Sequence, residues 1–482
     1  MKSFSNASGV IHFIGVGGIG MSGIADVLIN MGYKVTGSDL KKNTLTEKLA
    51  RKGAQIFIGH DKNNVCGASV VVVSSAVAKN NPEVREARKQ QIPVVKRVEM
   101  LSELMRMKRS IAIAGTHGKT TTTSLVAAIL DQANADPTVI NGGVINAYSS
   151  NARLGSGDWI IVEADESDGS FTKLMSTISV VTNIDLDHVD NFKDISELTS
   201  MFLTFVENIP FYGTAVLCAD HPEVRKIASK IFDRKIITYG FADDADVCAK
   251  DLKFTSAGTE FDVIFSQNFI DKNKLKESSW KNVALSMFGK HNVQNSLGAI
   301  SVALELGISQ ENIRIALGAF MGVRRRFTPV GTVNGVSIID DYAHHPVEIE
   351  AALNAARNFC FGKIYAIMQL HRYTRLEKFL DEFAKSLELS DYALVTPVYS
   401  AGEASNNIDH FSLLEKIKSN NKVYADFAAD VADVWNNLSK KTKPGDIVIF
   451  LGAGDITQWA YTFSDIANAD ASEKSCDSEV AR

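Results

Sequence analysis

Short apolar runs alternate with amphipathic stretches along most of the chain. In the first hundred residues the strand-like runs are Val10–Ile14, Lys34–Gly37, Ser69–Val73 and Val94–Val95. Between them, Ile19–Asn30 and Pro82–Gln90 carry a helical period. Strands alternating with helices predict a parallel sheet covered on both faces. Arg106-Met107-Lys108-Arg109 reads as a solvated hinge, and a second series begins directly after it. That series has strands at Ser110–Ala114, Asp158–Glu163, Ile178–Asn183 and Ala215–Ala219, with a helix from Thr120 to Leu130. Near Asp246–Ser266 the period changes to two, which predicts an antiparallel extension of the sheet. A helix from His291 to Leu306 follows. From about Arg325 the alternation resumes: strand Ser337–Asp340, helix Pro346–Asn358, strand Lys363–Gln369, helix Thr374–Leu389, strand Tyr392–Thr396 and strand Ile447–Leu451. The stretch after about 467, rich in Ala, Ser, Asp and Glu, is expected to fray.

Composition narrows the class. At 482 residues the chain exceeds one core, and its length suggests roughly three domains. An apolar fraction of 45% and a charged fraction of 22% exclude a disordered protein. The net charge of −5 points to neither a nucleic-acid nor a membrane partner. Cys66, Cys218, Cys248, Cys360 and Cys476 lack CxxC spacing, which argues for a reducing compartment and against a zinc or disulfide framework. With no bilayer-length apolar run and no signal-peptide h-region, a cytoplasmic location is expected.

Several groups of residues carry candidate chemistry. Gly115-Thr116-His117-Gly118-Lys119-Thr120-Thr121 joins a strand to a helix, the layout of a nucleoside-triphosphate site. Backbone N–H groups wrap the phosphates, Lys119 reaches the terminal ones, and the Thr120 hydroxyl ligates Mg²⁺. The spacing departs from the standard P-loop, which has a glycine where Ile113 stands. Gly15-Val16-Gly17-Gly18-Ile19-Gly20 follows a strand, and Asp39 lies nineteen residues past Gly20. Such a turn takes a pyrophosphate joined to a ribose, and NAD or a UDP-sugar supplies both. The acidic run Glu163–Asp168 ends another strand; Glu163 is the expected Mg²⁺ ligand, and its neighbours read as a solvated loop. His188 is either a second metal ligand or a loop histidine. Asn292 and Asn295 either read an adenine edge or cap a helix, and Arg324-Arg325-Arg326 is either a basic hinge or a phosphate clamp. Asp340–Pro346 and Gln369–Arg375 both end strands, and the arginines and histidine of the latter suit a carboxylate or phosphate.

Together these stretches resemble the Mur ligase family. The resemblance runs over nearly the whole chain and includes Ser74-Ser75-Ala76, Asn81-Pro82-Glu83, Arg97–Leu101, Asn151–Gly155, Thr182-Asn183, Asp187-His188, Ala401-Gly402-Glu403 and Gly452–Asp455. It implies an α/β protein of three domains. These are a Rossmann-like UDP-sugar-binding domain (1–107), a central P-loop ATPase-type mixed sheet (108–324) and a second Rossmann-like domain (325–482). It also implies an ATP- and Mg²⁺-dependent ligase that joins L-alanine to the lactyl carboxylate of UDP-N-acetylmuramate, with the glycine turn holding UDP. Carried over by position, Thr120, Glu163 and His188 are the metal-site residues, and Gly115–Thr121, Asn292, Asn295, Arg326 and Asp341 bind ATP. Gly17, Gly18, Ile19, Gly20, Asp39, His60, Ser74, Arg97 and His188 face the UDP-sugar. His344, His371, Arg372 and Arg375 correspond to the region of the muramoyl carboxylate and alanine; with Lys119, all but His371 are the expected catalytic groups. Because the ATP residues fall in two domains, closure of the C-terminal one on ligand is expected. Leu370 and Val98 depart from the family's usual proline and alanine. The stretch 195–206 has no lysine, so no carbamylated lysine is expected. Relatives that attach a tripeptide to the same sugar usually carry an aromatic residue where Ser167 stands, which favours single alanine addition.

Overall fold

The computed structural model describes residues 9–74, 76–186, 192–255, 257–405 and 407–480. The chain is α/β, with three sheets. It divides into two compact units: Met1–Asp251 with Phe261–Val283 and Gln294–Met321, and Leu252–Glu260 with Ala284–Val293 and Gly322–Arg482.

In the first unit, five parallel strands lie in the order Gln55–Ile58, Val35–Asp39, Val10–Ile14, Ala68–Val73, Val94–Lys96. Chain direction across the sheet reverses between Val10–Ile14 and Ala68–Val73, a switch point whose carboxyl ends open a crevice. The glycine turn leaves one of these strands and Ser74 the other. The helix Ile19–Asn30 follows the turn and buries Ile24, Val27 and Leu28.

The central sheet runs Ser279–Leu285, Gly258–Phe265, Val247–Thr255, Lys235–Gly240, Thr214–Cys218, Ile178–Val181, Arg109–Ala114, Trp159–Glu163, Thr138–Ile145, Ser150–Arg153. From Lys235–Gly240 to Thr138–Ile145 the pairing is parallel. Arg109–Ala114 therefore has Ile178–Val181 on one side and Trp159–Glu163 on the other. The loop after Ala114 emerges between the ends of both. Thr138–Ile145 escaped the hydropathy reading because Asn141-Gly142-Gly143 interrupts its apolar residues. The helix Ile19–Asn30 packs on Thr138–Ile145 and Ser150–Arg153. Asn151 Nδ2 donates to the Ile19 carbonyl at 2.7 Å. One apolar cluster continues from Phe13 and Ile24 through Leu101 to Val162 and Phe202.

The second unit carries six strands in the order Thr328–Val333, Val336–Asp341, Ile447–Leu451, Ile364–Met368, Tyr392–Val395, Tyr424–Phe427. The first pair is antiparallel and the others parallel. Apolar clusters cover both faces. The helix expected over 374–389 is two helices, Tyr373–Lys378 and Leu380–Leu387. The break falls at Phe379, whose φ of −119° leaves the helical region and whose ring meets His345 edge-on at 4.9 Å. The last helix spans Ile456–Val480 and so covers the stretch read from sequence as frayed.

Candidate functional site

The phosphate-type loop needs two left-handed positions and has glycine at both. Gly115 has φ +134° and Gly118 has φ +82°. A Cβ on Gly115 would lie 2.0 Å from Thr182 Oγ1, and one on Gly118 would lie 2.4 Å from Asn295 Oδ1. Thr182 and Asn183, at the end of the neighbouring strand, hold the loop. The His117 amide donates to Asn183 Oδ1 at 2.7 Å, and Asn183 Nδ2 and Thr182 Oγ1 both donate to the His117 carbonyl. The two residues stand in the sequence at a strand's carboxyl end, the signal by which they could have been placed in the site.

Lys119 opens the helix Lys119–Gln132. Its Nζ lies 2.7 Å from Glu166 and donates to the Gly115 and Thr116 carbonyls at 2.6 and 3.0 Å. Burial disfavours its charge, but the nearby carboxylates of Glu166, Glu163 and Asp165 outweigh burial and hold it protonated. At Asp165 and Glu166 the acidic run is therefore not the solvated loop expected for Glu163's neighbours, whereas Asp168 is exposed. Glu166 is buried against Lys119, and Asp165 receives Arg97 Nη2 at 2.9 Å. An ion-paired acid and a solvated one look alike in sequence, since Lys119 is 47 positions from Glu166.

Glu163 ends its strand, and its Oε2 accepts the Gly142 amide at 2.8 Å. Asn141, beside it, donates to Ser124 Oγ at 2.8 Å and to the Thr120 carbonyl at 3.3 Å. The Thr120 turn and the Glu163 strand are thus tied together through Asn141-Gly142. Of the acids around Lys119, Asp165 is paired with Arg97, and burial pushes the Glu166 carboxyl up to about 7. The Glu163 carboxylate and the Thr120 hydroxyl are hard oxygen donors of the kind that suit Mg²⁺, which keeps waters and phosphate oxygens in its shell. No cluster of three or more His, Cys, Asp or Glu side chains able to hold a metal occurs among the described residues. Thr120 and Glu163 fit as a partial ligand set; His188 lies outside the described residues.

A cavity of about 310 Å³ connects this region with the glycine turn. Gly18, Ile19, Gly20, Ser74 and Arg97 line one side, and Asn141, Gly142, Glu163 and Asp165 the other. Asp39 Oδ2 accepts the Gly17 amide at 2.8 Å. Asn43, which the motif reading missed, donates to the Gly17 carbonyl at 3.1 Å. His60 lies behind the turn, its Nδ1 3.2 Å from Ser38 Oγ and 3.5 Å from Glu83. Glu83 is fully buried. Burial would raise its carboxyl, but bonds from His12, Ser38 and Asn64 pull it down to about 2. It therefore stays ionised beneath the turn.

In the second unit, Asp341 Oδ1 and Oδ2 accept the amides of Ala343 and Phe327 at 2.7 and 2.8 Å. Burial nonetheless pushes its carboxyl up to about 6, against the pull of Arg326. Arg326 lies over the Tyr342 ring and 3.7 Å from Glu348. His344 Nδ1 lies 3.0 Å from the Tyr342 carbonyl and 3.2 Å from Glu348. With two acceptors beside it, Nδ1 is the donor nitrogen of the ring. His371 faces His344 at 5.9 Å between ring centres, and Arg375 Nη1 donates to the His371 carbonyl at 3.2 Å. Burial, then repulsion from His344, Arg375 and Arg372, lowers His371 to about 4, so it is neutral near pH 7. Asn292 is buried and donates to the Phe288 carbonyl at 2.8 Å.

An acidic strand end and a nucleotide-type glycine turn line one cavity, and the phosphate-type loop meets that acidic run through Lys119, the layout of an ATP-using ligase. The family comparisons agree along the chain: the Mur ligase family catalytic domain matches residues 10–109, the middle domain 113–303 and the glutamate ligase domain 325–454. The chain belongs to the Mur ligase family. It is 52% identical to the UDP-N-acetylmuramate–L-alanine ligase of Maricaulis maris, over 94% of this chain and 96% of that one. The ligase of the same name from Brucella anthropi is 51% identical over the same shares. Among solved structures, the UDP-N-acetylmuramate–alanine ligase MurC of Thermotoga maritima is similar with a TM-score of 0.80 and 28% identity, over 96% of this chain and all of that one. A murein peptide ligase from Psychrobacter arcticus gives 0.69 and 25%, over 95% and 98%.

Proposed function

We infer that the chain is an ATP-dependent ligase that joins L-alanine to the lactyl carboxylate of UDP-N-acetylmuramate, in the synthesis of peptidoglycan precursors. The observation that carries the chemistry is the cavity running from the glycine turn to Glu163, next to Lys119. A UDP-sugar held by its pyrophosphate at the turn would extend its acyl arm toward the phosphate lysine. The names of the relatives point to alanine as the amine.

A carboxylate does not accept an amine unaided. The γ-phosphoryl group of ATP passes to the lactyl carboxylate, giving an acyl phosphate and ADP. The neutral amine then attacks the acyl carbon, and collapse of the tetrahedral intermediate expels phosphate. Lys119 and Arg326 are assigned to the charge on the transferring group, where positioning and electrostatics dominate. Thr120 and Glu163, with His188, would hold Mg²⁺, which when bound neutralises phosphate charge. Asn295, Arg326 and Asp341 are assigned to ATP, and Asp39, His60, Ser74 and Arg97 to the UDP-sugar. His344 is assigned the proton of the alanine ammonium, and Arg372 and Arg375 the carboxylates. We place the reaction in the cytoplasm and the domain boundaries at 107/108 and 324/325. No helix among the described residues is long and apolar enough to cross a membrane.

Phosphate release measured with each substrate withheld in turn tests the reading. Release should require ATP, the UDP-sugar and L-alanine together. Release that responds to a tripeptide and not to alanine would overturn it. For His344, turnover of His344→Ala that matches wild type across pH 7–9 would remove the base role.

A further inference from the structure

A buried carboxylate beneath the glycine turn organises the strand ends on which the turn rests. Glu83 lies in the first turn of the helix Pro82–Lys89, and its side chain is fully buried. Its Oε1 accepts Asn64 Nδ2 at 2.6 Å and the Asp61 amide at 3.2 Å. Its Oε2 accepts Ser38 Oγ at 2.6 Å and lies 3.4 Å from His12 Nε2. One side chain thus gathers the strands Val10–Ile14 and Val35–Asp39 and the segment that follows Gln55–Ile58. Burying a charge is costly, and well-packed apolar residues in place of a buried ion pair are often neutral or stabilising. Stability alone therefore does not account for Glu83.

What it organises is the ligand edge. The Ser38 carbonyl accepts the Gly15 and Val16 amides at 2.8 and 3.1 Å, and the Asp39 carbonyl accepts the Gly59 amide at 2.8 Å. Ser38 Oγ has a single proton and gives it to Glu83, so toward His60 Nδ1, 3.2 Å away, it can only accept. Nδ1 is therefore the donor nitrogen of His60, which leaves Nε2 for a ligand. The His60 side chain is 16% exposed, while those of His12 and Glu83 are 0% exposed, so of these three His60 alone reaches solvent. Across the carboxyl edge the order is glycine turn, Asp39, His60, following the strands Val10–Ile14, Val35–Asp39 and Gln55–Ile58. A pyrophosphate on the turn, with its ribose on Asp39, puts the base next, at His60. We propose that Glu83 is a positioning residue for the uridine end of the UDP-sugar, acting through Ser38 to hold the His60 ring against the nucleotide. This rests on the reading of the glycine turn as the UDP-sugar site.

The test is calorimetric titration of the full-length enzyme with UDP and with UDP-N-acetylmuramate, for wild type, Glu83→Gln, His60→Ala and the double variant. Failure of the wild type to bind either ligand would overturn the proposed function and this inference with it. Given wild-type binding, Glu83→Gln, which turns an acceptor into a donor facing Ser38 or Asn64, should weaken both ligands about 10-fold. Equal losses for UDP and the UDP-sugar place the effect at the nucleotide end, and KM for ATP and for alanine should stay within about twofold. In the His60→Ala background Glu83→Gln should cost less than about twofold more, because its effect passes through that ring. A purely structural role would lower the melting temperature and the binding stoichiometry while leaving the affinity of the folded fraction intact. Unchanged UDP affinity in Glu83→Gln, or losses that simply add in the double variant, overturn the proposal. Should Glu83→Gln not fold, Ser38→Ala decides: it deletes the relay hydroxyl and should weaken UDP at least about threefold, and wild-type affinity there overturns the proposal.

Discussion

Lys119 is a buried cation whose charge depends on carboxylates from a strand end 44 positions away. Lys119→Met should keep the fold, since it exchanges the ammonium for a side chain of similar length, while lowering kcat by a factor of about 10²–10³ or more in the phosphate-release assay. Gly142 is the matching test on the other wall. A Cβ there would lie 2.4 Å from Glu163 Oε1, so Gly142→Ala must displace the carboxylate. The expected result is a fall in kcat of about 10-fold or more, with the Mg²⁺ dependence moved to higher concentration. His371 gives a pH signature. The unfolded chain takes up its proton near pH 6.5 and the folded one only near pH 4, so acidification through that window favours unfolding. Above about pH 7 the ring is neutral in both states and contributes no slope. The melting temperature should therefore drop further between pH 7 and 5 in wild type than in His371→Asn. Equal drops would refute the assignment.

At the scale of elements, one side chain joins local helix chemistry to the ligand edge. Asn43 Oδ1 accepts the amides of Leu45 and Thr46 at 3.0 and 2.9 Å and so starts the helix Thr44–Arg51, while its Nδ2 pins the Gly17 carbonyl. Asn43→Ala should lose about 1 kcal/mol of stability by denaturant titration and weaken UDP-sugar binding by calorimetry. Stability loss with unchanged binding would mean that the pin is idle. Much at this scale was legible beforehand. Val10–Ile14 and Ile447–Leu451 fall where short apolar runs put them, because both are buried on both faces, and Ile19–Asn30 falls where the helical period puts it. Thr138–Ile145 was not legible, since its partners across the sheet outweigh the poor strand propensity of its glycines. The division at Phe379 was equally hidden, because a ring turned toward His345 leaves no mark in hydropathy. The glycine turn, Lys119 and Glu163 stood out through spacing and strand-end position. Glu166, Asn43 and Glu83 act through partners distant in sequence, which no local pattern records.

For the whole molecule, the glycine turn and the phosphate loop belong to different sheets of one unit, so substrate binding and turnover should separate experimentally. The UDP-sugar assignments, Gly17–Gly20, Asp39 and Ser74, involve no metal. Chelation by EDTA should abolish ATP-dependent phosphate release while leaving calorimetric affinity for the UDP-sugar within about threefold. Loss of both together would place the metal in sugar binding as well. The same arrangement has a pharmacological corollary. A compound filling the 310 Å³ chamber would meet the Arg97 guanidinium and the Glu163 carboxylate at once. Asn295, assigned to ATP, contributes nothing to its lining, so an inhibitor shaped to it need not imitate a purine and would be spared competition from abundant nucleotides at that feature.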